Sequence, residues 1–445
     1  MKYQSLHIGN VANIGYSMCK ILNKHTVSAR LIFHDEYHLM SQPEWNDYAL
    51  DPHDYEHEFF LKINKKKHPY AKLPSWVVRH NIYNKRILLI NLVTKLPPSL
   101  YNVIRTIYRA IRSTYRKAHI LFTFSKTTLN HPDIAVKEYK YSLDYSPQIK
   151  WLLSYVKGSE IIFAYAASPI YCYLAKKHPY VAVEIGTLRD IPAEKSELGK
   201  LIAESYKNAD FVIVTNPDTR NIIDKLGIKN YKFVPHPIDE NVYKEINDEH
   251  TNELRKELRK QGGDIVALCP ARQNWDLKGN NEYFEAVSLL KKNGILVRLV
   301  IPLWGTDVEK TQKLVKDLQI ENHIIWLPPL SEPLLIRYMS AVDVVIDQLR
   351  LGVFGFITAK SLACGKPTIT FYNHDLNSWC FPEPPPLLSA FNAKEVADQL
   401  SYILNNNTKK ISYESRSWFL KYHSSRQIVN KLEEICNIIN PLKNN

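Results

Sequence analysis

The sequence predicts an α/β protein of two doubly wound, Rossmann-like domains facing a central cleft, and three observations predict it. Short apolar, β-branched runs alternate with helical patterns along nearly all of the 445 residues, as in parallel sheets built from βαβ units. The alternation pauses at Pro235-His236-Pro237-Ile238-Asp239, crosses the charged stretch Lys244 to Lys260, and then restarts. At roughly 150 residues per domain, the length accommodates two or three domains with ordinary cores.

In the first half, strands are expected at Ser5–Ile8, Ala29–Phe33, Ile87–Asn91, Ile120–Phe124, Ile161–Tyr165, Val181–Glu184, Phe211–Thr215 and Tyr231–Val234. Helices are expected between them at Ile14–Leu22, Leu100–Tyr115, Leu201–Asn208 and Thr219–Leu226, from apolar residues recurring at helical spacing. After the pause come strand Ile265–Cys269, helix Glu282–Lys292 closed by Gly294, and strand Ile295–Ile301. Helix Thr311–Leu318, strand Ile324–Leu327 and helix Leu334–Ser340 follow, the last with Ser331 as its N-cap. Strand Val344–Ile346, helix Thr358–Cys364 and strand Thr368–Phe371 complete the second sheet, and the tail, Ala393–Leu404 and Ile411–Ile439, is helical. Domains are expected at 1–240 and 241–424, with 425–445 a terminal helix, and ligand in the cleft at strand carboxyl ends.

Composition sets further limits. Hydrophobic residues make up 45% and charged residues 23%, which excludes a disordered or fibrous chain. Six cysteines lie far apart and most sit in apolar runs, so they read as small core residues rather than a zinc site or disulfide framework. The longest uncharged apolar stretch, Ile161 to Ala175, has 15 residues, short of the roughly 20 that span a bilayer. Residues 1–9 lack a signal-peptide pattern. The expectation is a soluble, cytoplasmic protein.

The formal net charge of +13 is unevenly spread. Leu31 to Leu61 holds eight acidic residues and no Lys or Arg, whereas Leu61 to Lys117 holds 14 Lys and Arg and no acid. Such segregation implies a surface that meets an anionic partner. Within that window, Leu100, Val103, Ile104, Ile107, Tyr108, Ile111 and Tyr115 form an apolar helical stripe, and Arg105, Arg109, Arg112 and Arg116 a cationic one. Two readings stand: an amphipathic helix at the inner membrane face, and a domain helix with its arginines in water. No nucleic-acid recognition signature accompanies the patch, so no specific nucleic-acid partner is expected.

Two segments of the second domain carry chemistry. Cys269-Pro-Ala-Arg272-Gln-Asn-Trp-Asp-Leu-Lys278-Gly279 opens from a strand end, and its Arg272 and Lys278 suit a diphosphate as a planar fork and a point charge; they read equally as two solvated loop cations. Asp347-Gln348 leads through Gly352 and Gly355 to Lys360 and the turn Gly365-Lys-Pro367. A glycine loop feeding a helix start can offer backbone N–H groups and a positive dipole to an anion.

These segments, with the Pro235–Asp239 crossing and the late helices, resemble the GT-B-fold, nucleotide-sugar-dependent group 1 glycosyltransferases, the glycogen-synthase-like retaining enzymes. The resemblance covers the second domain well and the first in outline. It implies that Arg272 and Lys278 neutralise a donor diphosphate and assist its departure, that the turn Asn13-Ile14-Gly15 lies against the same phosphates, and that the last helix crosses back onto the first domain. It implies a nucleotide-diphosphate sugar as co-substrate, a saccharide or lipid-linked acceptor in cell-surface glycan or glycoconjugate synthesis, and no metal or other cofactor. The sequence departs from the pattern where the family places two glutamates with seven residues between them: here stand Gly352 and Lys360. The second glutamate binds the nucleotide ribose, and a lysine has no acceptor oxygen to do so; it can reach a phosphate or a sugar carboxylate. Asp347 and Gln348 are candidates for the first glutamate's contact with donor hydroxyls.

In the first domain, Val183-Glu184-Ile185-Gly186-Thr187-Leu188-Arg189-Asp190 stands where many relatives place a histidine. Glu184 is a candidate to position or deprotonate an acceptor hydroxyl, and Arg189, Asp190 and His236 are candidates for acceptor or phosphate contact. An ion pair of Arg189 with Asp190 or Glu184, and a hinge-packing role for His236, are the alternatives. The segment His53-Asp54-Tyr-Glu56-His57-Glu58 could hold zinc only on a helix; Pro52 and the surrounding acids favour a solvated loop. A catalytically silent scaffold or regulatory partner, and an epimerase or phosphorylase on the same fold, remain as other functional classes. If the basic window is a membrane footprint, replacing Arg105, Arg109, Arg112 and Arg116 abolishes cosedimentation with anionic vesicles; unchanged cosedimentation removes that reading.

Overall fold

The computed structural model describes residues 4–34, 38–50, 55–57, 60–61, 73–80 and 145–440. Among them, β1 (Ser5–Ile8), β2 (Ala29–His34), β5 (Val77–His80), β6 (Ile161–Tyr165), β7 (Tyr180–Glu184), β8 (Phe211–Val214) and β9 (Tyr231–Phe233) form one sheet. Its order is β5-β2-β1-β6-β7-β8-β9, and every pairing is parallel. A second sheet contains β10 (Ile265–Leu268), β11 (Val297–Pro302), β12 (Ile324–Leu327), β13 (Val344–Ile346), β14 (Thr368–Thr370) and β15 (Leu388–Ser389). It is also parallel, in the order β12-β11-β10-β13-β14-β15. A small antiparallel hairpin joins β3 (Tyr55–His57) and β4 (Phe60–Leu61).

The strands are short and buried on both faces: β1, β6, β7, β8, β10 and β11 have no exposed residue. This is why their sequences are continuous apolar runs rather than alternations. In both sheets the order reverses beside the first strand, so β1 and β10 flank the crevices where loops diverge. The two functional loops of the second domain leave β10 and β13, which are neighbours.

The last helix, Ser425–Ile439, places Ile428, Val429, Leu432 and Ile435 in one cluster with Ile14, Met18, Ile21 and Leu22 of the first helix, Ile14–Lys24. Its apolar residues recur at three- and four-residue spacing, which gives one stripe to bury. The chain thus crosses between the sheets twice, at Val234–Asp239 and at His423–Ser425. The two crossings are tied together: His423 Nε2 lies 2.8 Å from the His236 carbonyl, and the Glu240 carboxylate accepts from the Ser425 amide at 2.8 Å and its hydroxyl at 2.9 Å.

Several sequence expectations are corrected. The charged stretch after residue 244 contains the helix Glu249–Leu258, capped by the Asp248 carboxylate on the Thr251 amide at 2.8 Å. Its charges hid it, because only Thr251 and Leu258 are buried. The stretch Ile411–Ile439, expected as one helix of the tail, is two, Lys409–Tyr422 and Ser425–Ile439, broken where His423 and Ser424 make the crossing. Ser331 precedes the helix Glu332–Ala341 but does not cap it; its hydroxyl accepts from the Leu50 amide of the first domain at 3.1 Å. His57 lies in a strand, and His53 lies outside the described residues. Strands Ile87–Asn91 and Ile120–Phe124, helix Leu100–Tyr115 and its four arginines lie outside the described residues.

Leu432 is fully buried between the last helix and the first domain. Leu432→Ala is expected to lower the unfolding free energy by about 2–5 kcal/mol, read as a shift in the urea midpoint of the transition reporting on the first domain.

Candidate functional site

A cavity of about 370 Å³ lies between the carboxyl ends of the two sheets. First-domain residues Ala12, Ile14, Met40, Ile185, Arg189, Asn216 and His236 line one side; Arg272, Lys278, Trp304, Glu332, Asp347, Gly355, Phe356 and Lys360 line the other. A second lobe of about 280 Å³ adjoins it and shares Met40, Arg272 and Trp304 while adding His38, Asn274 and Thr306.

Arg272 is exposed and Lys278 half-buried. Among the described residues neither side chain makes a hydrogen bond or ion pair. Burial pulls the Lys278 ammonium below the usual lysine range; nearby Asp347 opposes this and Arg272 reinforces it. The loop holding them is rigid for reasons visible in its backbone. Gln273 pairs with Gly305, donating from its amide to the Trp304 carbonyl at 2.8 Å. At Gly305, φ is +117° and an added Cβ would lie 2.5 Å from the Gln273 carbonyl oxygen, so only glycine permits the approach. The Gln273 side chain is buried on the Tyr283 and Thr311 hydroxyls, 3.1 and 3.2 Å away. Asn274 caps the short helix Trp275–Lys278 by accepting from the Leu277 amide at 2.9 Å, and Gly279 ends it at φ +66°.

The loop after β13 rests on that segment, with the Leu349 amide donating to the Lys278 carbonyl at 2.7 Å. Here the expected roles of individual residues change. Gln348 braces its own loop: its amide donates to the Val353 carbonyl at 3.0 Å and accepts from the Leu351 amide at 2.7 Å. Its amide is engaged on the backbone rather than offered to a sugar hydroxyl. Asp347 lines the cavity, and its Oδ2 accepts from the Thr358 amide (3.0 Å) and hydroxyl (2.7 Å), capping the helix Phe356–Ala363 from outside. Gly352 is buried at φ +67° with Asn373 and Phe371 each 2.9 Å from where a Cβ would lie, so it shapes the turn without lining the cavity. Gly355 does line it, directly before that helix.

Lys360 lines the cavity and is paired with an acidic side chain. It is 3% exposed, and its ammonium lies 2.6 and 2.8 Å from the two carboxylate oxygens of Glu332 and 4.1 Å from the centre of the Phe356 ring. Tyr243 donates its hydroxyl to the same carboxylate at 2.5 Å. Sequence spacing gave no hint of Glu332: it reads as an ordinary acid in the first turn of a helix, and only the fold brings it to Lys360.

In the first domain, Gly15 is a packing glycine. Its Cβ would sit 2.3 Å from the Gly9 carbonyl, and the turn borders the cavity through Ala12 and Ile14 instead. Asn13, at φ +58°, donates to the Met40 and Gln42 carbonyls at 2.9 and 2.7 Å, joining this turn to the loop that carries Met40. Glu184 is fully buried and outside the cavity lining, which removes it as a base. It accepts from the Gly186 amide at 2.6 Å and the Leu188 amide at 3.3 Å, and so shapes the turn that carries Arg189. Burial pushes its carboxyl up to about 7 against those hydrogen bonds. Arg189 lines the cavity and is held by Asp218 at 2.6 Å and Asp190 at 3.2 Å; Asp190 itself is exposed and outside the lining. The pairing read from sequence was Asp190 or Glu184, and the shorter contact, Asp218, went unseen 29 residues away. His236 stacks on Phe356 with centroids 4.8 Å apart; burial, aided by Lys360, lowers its pKa to about 3, so it is neutral at pH 7.

Among the described residues, no group of three or more His, Cys, Asp or Glu could hold a metal ion, and no helix is long and apolar enough to cross a membrane.

Residues 250–418 match the family described as glycosyl transferases group 1. A curated relative, D-inositol 3-phosphate glycosyltransferase of Pseudarthrobacter chlorophenolicus, is 32% identical over 97 residues; the match spans 21% of this chain and 23% of that one. Among solved structures, HepE of Anabaena in complex with UDP-glucose has a TM-score of 0.62 at 12% identity, covering 98% of this chain and 99% of that one. TarM of S. aureus, as a point mutant in a complex containing UDP, has a TM-score of 0.59 at 12% identity over 98% and 100% of the chains. These whole-chain likenesses show the GT-B fold.

Because the Glu184 carboxyl titrates higher folded than unfolded, the folded state holds a proton that the unfolded state has lost between the ordinary glutamate value and about 7. Stability from this group is therefore full at acid pH and falls as pH rises through about 7. The advantage of wild type over Glu184→Gln is expected to shrink by up to about 3 kcal/mol between pH 5 and 8, measured by urea unfolding at both values.

Proposed function

We propose that this chain is a group 1 glycosyltransferase that transfers a sugar from a nucleotide-diphosphate donor to a saccharide or lipid-linked acceptor, with retention at the anomeric carbon and without a metal ion. The observation that carries the reading is the pair Arg272 and Lys278, two cations without partners among the described residues, on a rigid loop at the mouth of a cavity between two sheets. Leaving-group departure adds a negative charge to a diphosphate that already carries two, and preorganised cations there stabilise that charge without reorganising. The half-buried setting of Lys278 strengthens the interaction, since the local dielectric is lower than in water. The UDP and UDP-glucose complexes of the Anabaena structure support a nucleotide sugar as ligand.

The first-domain wall supplies the acceptor side. Arg189 keeps its charge at the cavity through its two carboxylates, which suits an acceptor phosphate or hydroxyl. With Glu184 buried behind its turn, no protein base is assigned to the acceptor, and the leaving diphosphate oxygen itself accepts the acceptor proton. Alignment of the two sugars provides the remaining acceleration. The basic window 61–117 is proposed to rest on an anionic membrane surface that presents a lipid-linked acceptor.

Calorimetric titration with UDP, GDP, ADP and CDP tests the donor site. One nucleotide is expected to bind saturably, and Arg272→Ala and Lys278→Ala are each expected to weaken it about 10- to 100-fold, as charge-assisted hydrogen bonds are worth about 1.5–3 kcal/mol. Absence of binding by all four would replace this reading with that of a catalytically silent partner.

A further inference from the structure

The cavity wall holds an ion pair for which the proposed chemistry has no use so far. Lys360 and Glu332 come from the helices Phe356–Ala363 and Glu332–Ala341, face each other across 2.6 and 2.8 Å, and both line the cavity. Their side chains are 4% and 15% exposed. Removing two charges from water is costly, and an apolar pair of similar volume commonly serves stability as well or better. A wall ion pair that is braced from behind by the Tyr243 hydroxyl at 2.5 Å therefore calls for a ligand-directed reason.

The pair's remaining hydrogen-bonding capacity states what that ligand is. An ammonium has three donors and a carboxylate about four acceptor sites. Two donors of Lys360 are on Glu332, and Glu332 accepts from Lys360 and Tyr243. One donor and at least one acceptor are left side by side at the cavity. A vicinal diol matches this arrangement: one hydroxyl donates to Glu332 while its neighbour accepts from Lys360. Of the other polar groups on this wall, Gln348 is engaged on backbone and Asp347 Oδ2 on Thr358.

Resting on the donor-site reading above, we propose that the Glu332–Lys360 pair is a diol-recognising element that sets donor specificity, with Tyr243 as its positioning residue. The donor carries such diols in its ribose and in its transferred sugar, so the test separates the two. Titrations compare UDP and GDP with their 2′,3′-dideoxy analogues, and UDP-glucose with UDP-3-deoxyglucose, which has lost both of the ring's vicinal diols. They use wild type, Glu332→Gln, and the double variant Glu332→Gln with Lys360→Met, which leaves no unpaired buried charge; thermal unfolding confirms that each is folded.

If the ribose is the source, wild type binds the parent nucleotide about 10- to 100-fold more tightly than its dideoxy analogue, and the ratio falls toward one in both variants. If the sugar is the source, that collapse appears in the 3-deoxyglucose comparison alone. A parent-to-analogue ratio preserved in the folded double variant, or absent from wild type in both comparisons, overturns the proposal while leaving nucleotide binding intact. Wild type that binds no nucleotide instead overturns the donor-site reading, and this inference falls with it.

Discussion

The structure depends most on the loop that leaves β10, because it keeps two like charges close together with no counter-charge bound to either among the described residues. Lys278 is held below its ordinary pKa by burial and by Arg272, so an unliganded cavity is a place of stored electrostatic cost. The backbone keeps that arrangement from relaxing. Gln273 is locked against Gly305 at a distance that excludes a side chain, and its amide lies on Tyr283 and Thr311. Asn274 and Gly279 then fix both ends of the turn that presents Lys278. A site built so is complementary to a doubly charged anion before the anion arrives, which is the condition under which electrostatic stabilisation is most effective.

The contrast with the other charges on the cavity makes the point sharper. Arg189 lies between two aspartates, and Lys360 is paired with Glu332. Asp347 uses one oxygen to cap the helix Phe356–Ala363, which leaves the earlier amides of that helix start beside Gly355 at the cavity. Positive potential is thereby concentrated on one stretch of wall, with Arg272, Lys278 and a helix N-terminus contributing to it. On the opposite wall Arg189 is paired with its aspartates, His236 is uncharged at pH 7, and Ala12, Ile14 and Met40 are apolar. The asymmetry fits one wall that holds leaving charge and another that receives an acceptor.

Much of this was legible in the sequence. Buried parallel strands are continuous apolar runs, so β1, β6, β10 and β12 could be read to within a residue, and Arg272 and Lys278 stood out because a strand end carried them. What failed had physical causes. The helix Glu249–Leu258 buries only two residues, too few for an apolar period to show. Glycines were read as ligand-facing when Gly15 and Gly352 answer to close packing by Gly9 and Phe371. Glu184 had the right residue type at the right strand end, but its carboxylate turns back onto amides of its own loop. Partnerships between distant residues, Arg189 with Asp218 and Lys360 with Glu332, follow from which strand ends the fold brings together, and local spacing holds no record of them.

The same distant pairings tie the cavity to the domain crossing. His236 belongs to the crossing segment, receives His423 on its carbonyl, and stacks on Phe356. Phe356 packs against the cores of both domains and begins the helix whose N-terminus faces the cavity, while its ring also lies against the Lys360 ammonium. One stack, His236 on Phe356 on Lys360, therefore connects the hinge to the donor wall. Packed rings and a buried ion pair resist gradual deformation because contact energies fall steeply with separation.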